Sequence, residues 1–244
     1  MTKPIVAFFL LAYAFTWALL PLIRFSLVFA LLGLFGPAAA ALVVVGVTRG
    51  RPGVRQLLRS LTIWRVGLGP WAVAIGLPIG LSALAALSGA VGSGPVHLSL
   101  APIAPVSVVL FVLVVGEELG WRGFAQPELE RAWGMVGAAF VGGILWGFWH
   151  LPLFFMEGTP QRDVPLGAFL LFTTAFSVVA ARLGHRTGGS VLLATVFHGT
   201  FNTVTVLATG VPAETRWWLV AGGWAVVAAG AARPRRATTP PRER

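Results

Sequence analysis

Long apolar runs separated by short polar stretches set the pattern of this chain. The runs cover residues 5–23, 25–48, 70–90, 103–121, 134–155, 165–181, 189–209 and 216–231. Crossing a hydrocarbon layer about 30 Å thick takes roughly 20 residues of helix, and these runs have about that length. Backbone groups that face lipid must be satisfied within their own segment, so the runs are expected as helices and not as open strands. The pattern predicts an all-α fold, a polytopic membrane helix bundle of about eight transmembrane helices. The Gly36-Pro37 pair should bend the second helix, and residues 38–41 offer a smooth face for close packing. Pro127 disfavours continuity, so the polar residues 124–133 read as a connection between the fourth and fifth helices. Residues 182–186 read as a short basic loop.

The polar stretches differ in charge. Residues 49–65 carry arginines at 49, 51, 55, 59 and 65, with Leu57, Leu58, Leu61 and Trp64 spaced along one face. This reads as a basic amphipathic segment on the inner leaflet; an ordinary basic loop is the plainer alternative. Residues 92–102 contain neither Lys nor Arg, and 233–244 form a basic, proline-rich tail expected to be disordered. The start of the chain reads as a retained first helix and not as a cleaved signal. With 49–65 placed in the cytoplasm and the helices alternating, 15 of the 18 Lys and Arg fall inside, leaving Arg24, Arg162 and Arg216 outside. That asymmetry predicts a multi-pass protein of the cell membrane with both termini cytoplasmic.

Composition supports this class. Hydrophobic residues make up 57% and charged residues 11%, where a soluble domain carries about 25% charged. The net charge of +10 follows from basic cytoplasmic loops, so no nucleic-acid partner is expected. The absence of cysteine excludes disulfides, thiolate zinc sites and cysteine nucleophiles.

Few polar groups interrupt the apolar runs, and those few point to chemistry. Glu117 and Glu118 end the fourth run, and charged residues at membrane depth usually face a partner or a water-filled cavity. Glu118 and Arg122 are four apart and can pair on one helix face. Glu117 is rotated by about 100° and stays free. His150 lies in the fifth run, and His198 and Asn202 share a face of the seventh. Taken singly, each has an ordinary alternative. A lone histidine bonds across to a neighbouring helix, Asn202 acts as interhelical glue, the Glu118–Arg122 pair is structural, and Trp146 and Trp149 pack or sit at the interface. His97 and His185 read as bystanders in loops. Together, a carboxylate pair, two histidines and an asparagine supply the parts for hydrolysis. A free glutamate serves as general base on water, one histidine orients or deprotonates that water, and the second histidine with the amide stabilises an oxyanion. The same residue types can hold a divalent metal such as zinc, whose bound water would be the nucleophile. The residue types alone leave both routes open, although a His-Glu-x-x-His run is absent.

At these residues the sequence resembles the CAAX-processing endopeptidases of the Ras-converting type, whose bacterial relatives form the CPBP or Abi family of intramembrane proteases. That family carries Glu-Glu-x-x-x-Arg, Phe-x-x-x-His and His-x-x-x-Asn on successive transmembrane helices. Here they read Glu117-Glu118 to Arg122, Trp146 to His150 and His198 to Asn202, with Trp146 in place of the usual Phe. The resemblance covers roughly residues 103–209. It implies a hydrolase, often labelled a metalloprotease, acting on a membrane-embedded or lipid-linked protein or peptide. Glu117 and His150 would activate water, His198 and Asn202 would hold the oxyanion, and Glu118 and Arg122 would shape the site. The chain then divides into residues 1–100 with three helices and the basic segment, a protease-like core at 101–210, a last helix at 211–232 and the tail from 233. Competing readings are a non-enzymatic membrane immunity or scaffold protein and a small proton-coupled transporter. One tension remains in the helix limits. Glu117 falls near the inner end of its helix and His150 toward the outer end of the next, so the two meet only if the fourth helix runs past Trp121 or the fifth begins outside the hydrocarbon.

Overall fold

The computed structural model describes residues 2–26, 28–93, 97–98, 103–209 and 213–233. Most of the 92–102 connection and the tail beyond Arg233 lie outside the described residues. Helix α1 (Lys3–Leu19) tightens into a 3-10 turn at Leu20–Arg24. Helices α2 (Val28–Leu34) and α3 (Gly36–Arg59) meet at Phe35, with a 45° bend between the two segments. The bend falls where Gly36-Pro37 predicts it. Pro37 occupies the first turn of α3, where a missing N–H has no intrahelical bond to lose. Then follow α4 (Leu68–Ser93), α5 (Ile103–Gly120), α6 (Gln126–Trp149), α7 (Leu166–Arg186), α8 (Val191–Leu207) and α9 (Ala213–Ala232). The protein is a polytopic helical bundle. Its described strands are β1 (His97–Leu98) and β2 (Ala208–Thr209), two residues each and antiparallel.

Two expected loops are helical. Residues 182–186 complete the last turns of α7. Residues 124–133 continue α5 through a widened π turn, Trp121–Ala125, into α6. Pro127 sits within the first two positions of α6 and is tolerated there. The chain turns instead at Gly134, whose φ of 63° is open to glycine and strained for other residues. This turn is a reversal. Glu117 and Trp146 are 29 positions apart, about 43 Å along an unbroken helix, yet their side chains are bonded at 3.0 Å. Gln126 also donates to the carbonyl of Met135 across the turn. The first arm therefore runs well past Trp121, and His150 returns to the level of Glu117, which removes the mismatch of depth.

Among the described residues, four helical stretches are long and apolar enough to cross a membrane, or five if the bent α2–α3 pair counts as one span. This is fewer than the eight expected. The 17 residues of α8 are short of a full span, and the stretch Phe111–Trp149 counts once although it folds back on itself.

Small residues let the arms approach. A Cβ on Gly120 would lie 2.5 Å from Pro37, one on Gly116 would lie 2.8 Å from Phe35, and one on Gly143 would lie 2.6 Å from Thr174. Aromatic pairs join α7 to α8, with Phe176 stacked on Phe197 at 4.5 Å and Phe172 on Phe201 at 4.4 Å, while Trp224 of α9 packs beside both. At one end of the bundle the charged segments meet. Glu128 bonds Arg49 and, at 2.8 Å, Arg131. His185 lies 2.8 Å from Glu130, so it is a partner of the hairpin tip and not a bystander. Ser190 donates to the carbonyl of Ile63, and Arg182 caps the end of α9 through Ala231 and Arg233. The stretches that the charge pattern assigns to one side of the membrane thus share one end of the fold.

Candidate active site

Four consecutive or facing segments carry these side chains. The last turn of α5 carries Glu117 and Glu118, the π turn carries Arg122, the end of α6 carries Trp146 with His150 as its C-cap, and the middle of α8 carries His198 and Asn202. Glu118 is fully buried. Its Oε1 lies 2.9 Å from His198 Nδ1, and its Oε2 lies 3.4 Å from Arg122 Nε. Arg122 also donates to Ser177 Oγ at 3.2 Å and lays its guanidinium over the rings of Trp146, at 4.6 Å, and Phe176. Glu118 thus contacts the Arg122 guanidinium and the imidazole of His198, the histidine expected at the oxyanion.

Glu117 has a different partner. Its Oε2 accepts the indole N–H of Trp146 at 3.0 Å. That donor is neutral and occupies one oxygen. His150 Nδ1 lies 2.9 Å from the carbonyl of Trp146, its own fourth predecessor. A carbonyl only accepts, so this contact places the proton on Nδ1 and leaves Nε2 of a neutral ring as an acceptor. Both histidines meet Trp146 edge-on, His150 at 5.7 Å and His198 at 5.1 Å between ring centroids. The two histidines therefore flank one ring and face one site.

Trp146, expected as packing, fills the centre of the cluster. The signal was its place four residues before His150, which puts both on one face of the helix. Around this indole Glu117, His150 and His198 are each at most 7% exposed. Asn202 lies one turn beyond His198 on α8 and is part-buried.

The donor set does not fit a catalytic zinc site, which takes three protein ligands. Among the described residues no three His, Asp or Glu side chains converge as ligands. Glu118 and His198 bond each other, and the Nδ1 of His150 is turned to a backbone carbonyl.

Comparison with known proteins bears on the same segment. Residues 99–204 match the family model described as type II CAAX prenyl endopeptidase Rce1-like. A curated relative, the CAAX prenyl protease 2 of Methanococcus maripaludis, is 29% identical over 104 residues, which is 40% of this chain and 38% of the relative. The matched family segment contains all seven side chains from Glu117 to Asn202.

Proposed function

We propose, from the CAAX-protease family assignment that these two matches support, that this protein is an intramembrane endopeptidase cutting a membrane-associated, prenylated protein. The observation that carries the reading is the unequal treatment of two adjacent buried carboxylates. Glu118 bonds His198 and is ion-paired with Arg122, whereas Glu117 is bonded through Oε2 to the neutral indole donor of Trp146. Glu117 is the base. It takes a proton from a water that attacks the substrate carbonyl, and His150 accepts a hydrogen bond from the same water at Nε2. The tetrahedral oxyanion is held by the Asn202 amide and by His198. Glu117 then returns its proton to the leaving amine, so the peptide bond breaks with one water consumed. Arg122, itself bonded to Ser177, fixes Glu118 and stays outside the proton path.

The test is cleavage of a farnesylated peptide with a C-terminal CAAX sequence by the purified protein in proteoliposomes, against the same peptide without the lipid. Cleavage of the lipidated peptide alone supports the reading. Cleavage of neither peptide, in protein whose thermal transition shows it folded, would count against it.

Trp146 orients Glu117 in this scheme. Trp146→Phe keeps an aromatic ring, though a smaller one, and removes the donor, so kcat should fall about fivefold with KM unchanged. Steady-state kinetics decide this; an unaltered kcat would reduce Trp146 to packing. The basic end of the bundle is proposed to face the cytoplasm. A phosphatase reporter fused after Arg244 should stay inactive and a cytoplasmic fluorescent reporter should light up; the reverse pattern would invert the orientation.

A further inference from the structure

A groove of about 430 Å³ lies between α4, α7 and α9, away from the site just described. At roughly 100° per residue, Arg182 and Arg186 lie about 140° and 180° around α7 from Ser177, so the groove is on the opposite side of that helix from Arg122. Its wall is apolar, with Val73 and Leu77 from α4, Val179 and Leu183 from α7 and Val227 from α9. Its mouth is basic, formed by Arg182, Arg186 and Arg233. Arg182 is anchored by bonds of 2.7 and 2.9 Å to the carbonyls of Ala231 and Arg233. None of the three arginines forms an ion pair with a carboxylate among the described residues. The mouth sits at the end of the bundle where His185 meets Glu130, and the wall descends for about 10 Å along α7 from Arg186 to Val179.

We infer that this groove binds an anionic phospholipid, with its phosphate against Arg186 and Arg233 and the first part of one acyl chain along the apolar wall. Uncompensated positive charge at the rim fits the phosphate, and basic pockets between transmembrane helices are a recurrent way to hold anionic headgroups. The wall decides among the anionic occupants. α4 and α7 are apolar enough to cross a membrane, so what lies along them sits at hydrocarbon depth. A peptide strand there would leave its backbone groups unsatisfied, whereas an acyl chain has none. This site is independent of the protease reading.

The experiment uses the full chain, purified and delipidated in neutral detergent. It is titrated with phosphatidylglycerol, with phosphatidylcholine of the same chains, and with glycerol phosphate, and followed by thermal shift and native mass spectrometry. Phosphatidylglycerol should stabilise at concentrations at least tenfold lower than phosphatidylcholine and remain bound one to one. Arg186→Gln with Arg233→Gln should weaken phosphatidylglycerol about thirtyfold and leave phosphatidylcholine unchanged; Arg182 is kept because it caps α9. Gly230→Leu should plug the groove and abolish the bound lipid, since a Cβ at Gly230 meets nothing within 4 Å and grows into open space. Arg55→Gln with Arg59→Gln, in a separate basic groove near Gly50, is the control. The inference is overturned if the two lipids act alike, if both Arg186/Arg233 and Gly230 variants bind phosphatidylglycerol as the parent does, or if the loss follows Arg55 and Arg59. A shift by glycerol phosphate equal to that of the lipid would also overturn it, because the acyl wall would then play no part.

Discussion

Glu117→Gln should abolish turnover and leave the bundle standing. Glutamine has the shape of glutamate, and its side-chain oxygen can still accept the Trp146 N–H that now reaches Glu117 Oε2. The substitution therefore keeps the packing and removes the acceptor for a proton from water. Loss of a positioned general base typically costs 10²–10⁴-fold, so kcat should fall by about 10³-fold. The thermal transition should move by no more than about 2 °C, because no ion pair is broken. Both measurements belong on the same preparation, in the lipid-peptide assay and by thermal unfolding in detergent. Activity within tenfold of the parent would remove Glu117 from the reaction.

Glu118→Gln should do the opposite to the fold. Its carboxylate is fully buried and is the shared anionic partner of Arg122 and His198. Arg122 is itself only 9% exposed in its side chain, so it has little water to replace the lost partner. Removing one member of a buried charge pair destabilises by about 3–5 kcal/mol. For a chain of this size that corresponds to a drop on the order of 10 °C in the thermal transition. The contrast is the test. Adjacent isosteric substitutions should separate cleanly, one lowering kcat and the other lowering stability. If both lowered the thermal transition equally, the division of labour between the two glutamates would be wrong.

The two glutamates also show what the sequence makes legible. Glu118–Arg122 is an i,i+4 pair, and local spacing was enough to find it. The third partner, His198, is 80 positions away, and nothing in local pattern announces that its Nδ1 turns to Glu118. Trp146 was hidden by its type: within an apolar run an indole reads as packing, and its bond to Glu117 exists only because the chain reverses at Gly134. Polarity at residues 124–133 suggests a connection there, whereas these residues are helical and bond Arg49 and His185 through Glu128 and Glu130. Polar residues report what surrounds a helix and not where it ends. The i,i+4 spacings that relate Glu118 to Arg122 and Trp146 to His150 do not depend on where the turn falls.

The contacts of α1 to α3 have a consequence for inheritance. The segment that matches the protease family begins at residue 99, yet much of its surroundings comes from upstream. Phe8 and Phe9 pack against Trp121, the hydroxyl of Tyr13 and the indole of Trp17 reach the carbonyls of Leu145 and Trp149, and Arg49 closes on Glu128. Pro37 fills the notch that Gly120 leaves open. A boundary drawn by sequence similarity therefore cuts through a packed interior. The first third of the chain is free to drift in sequence only where it does not touch this interior, and a chimera made by exchanging upstream helices between relatives inherits the motifs without the frame that aims them.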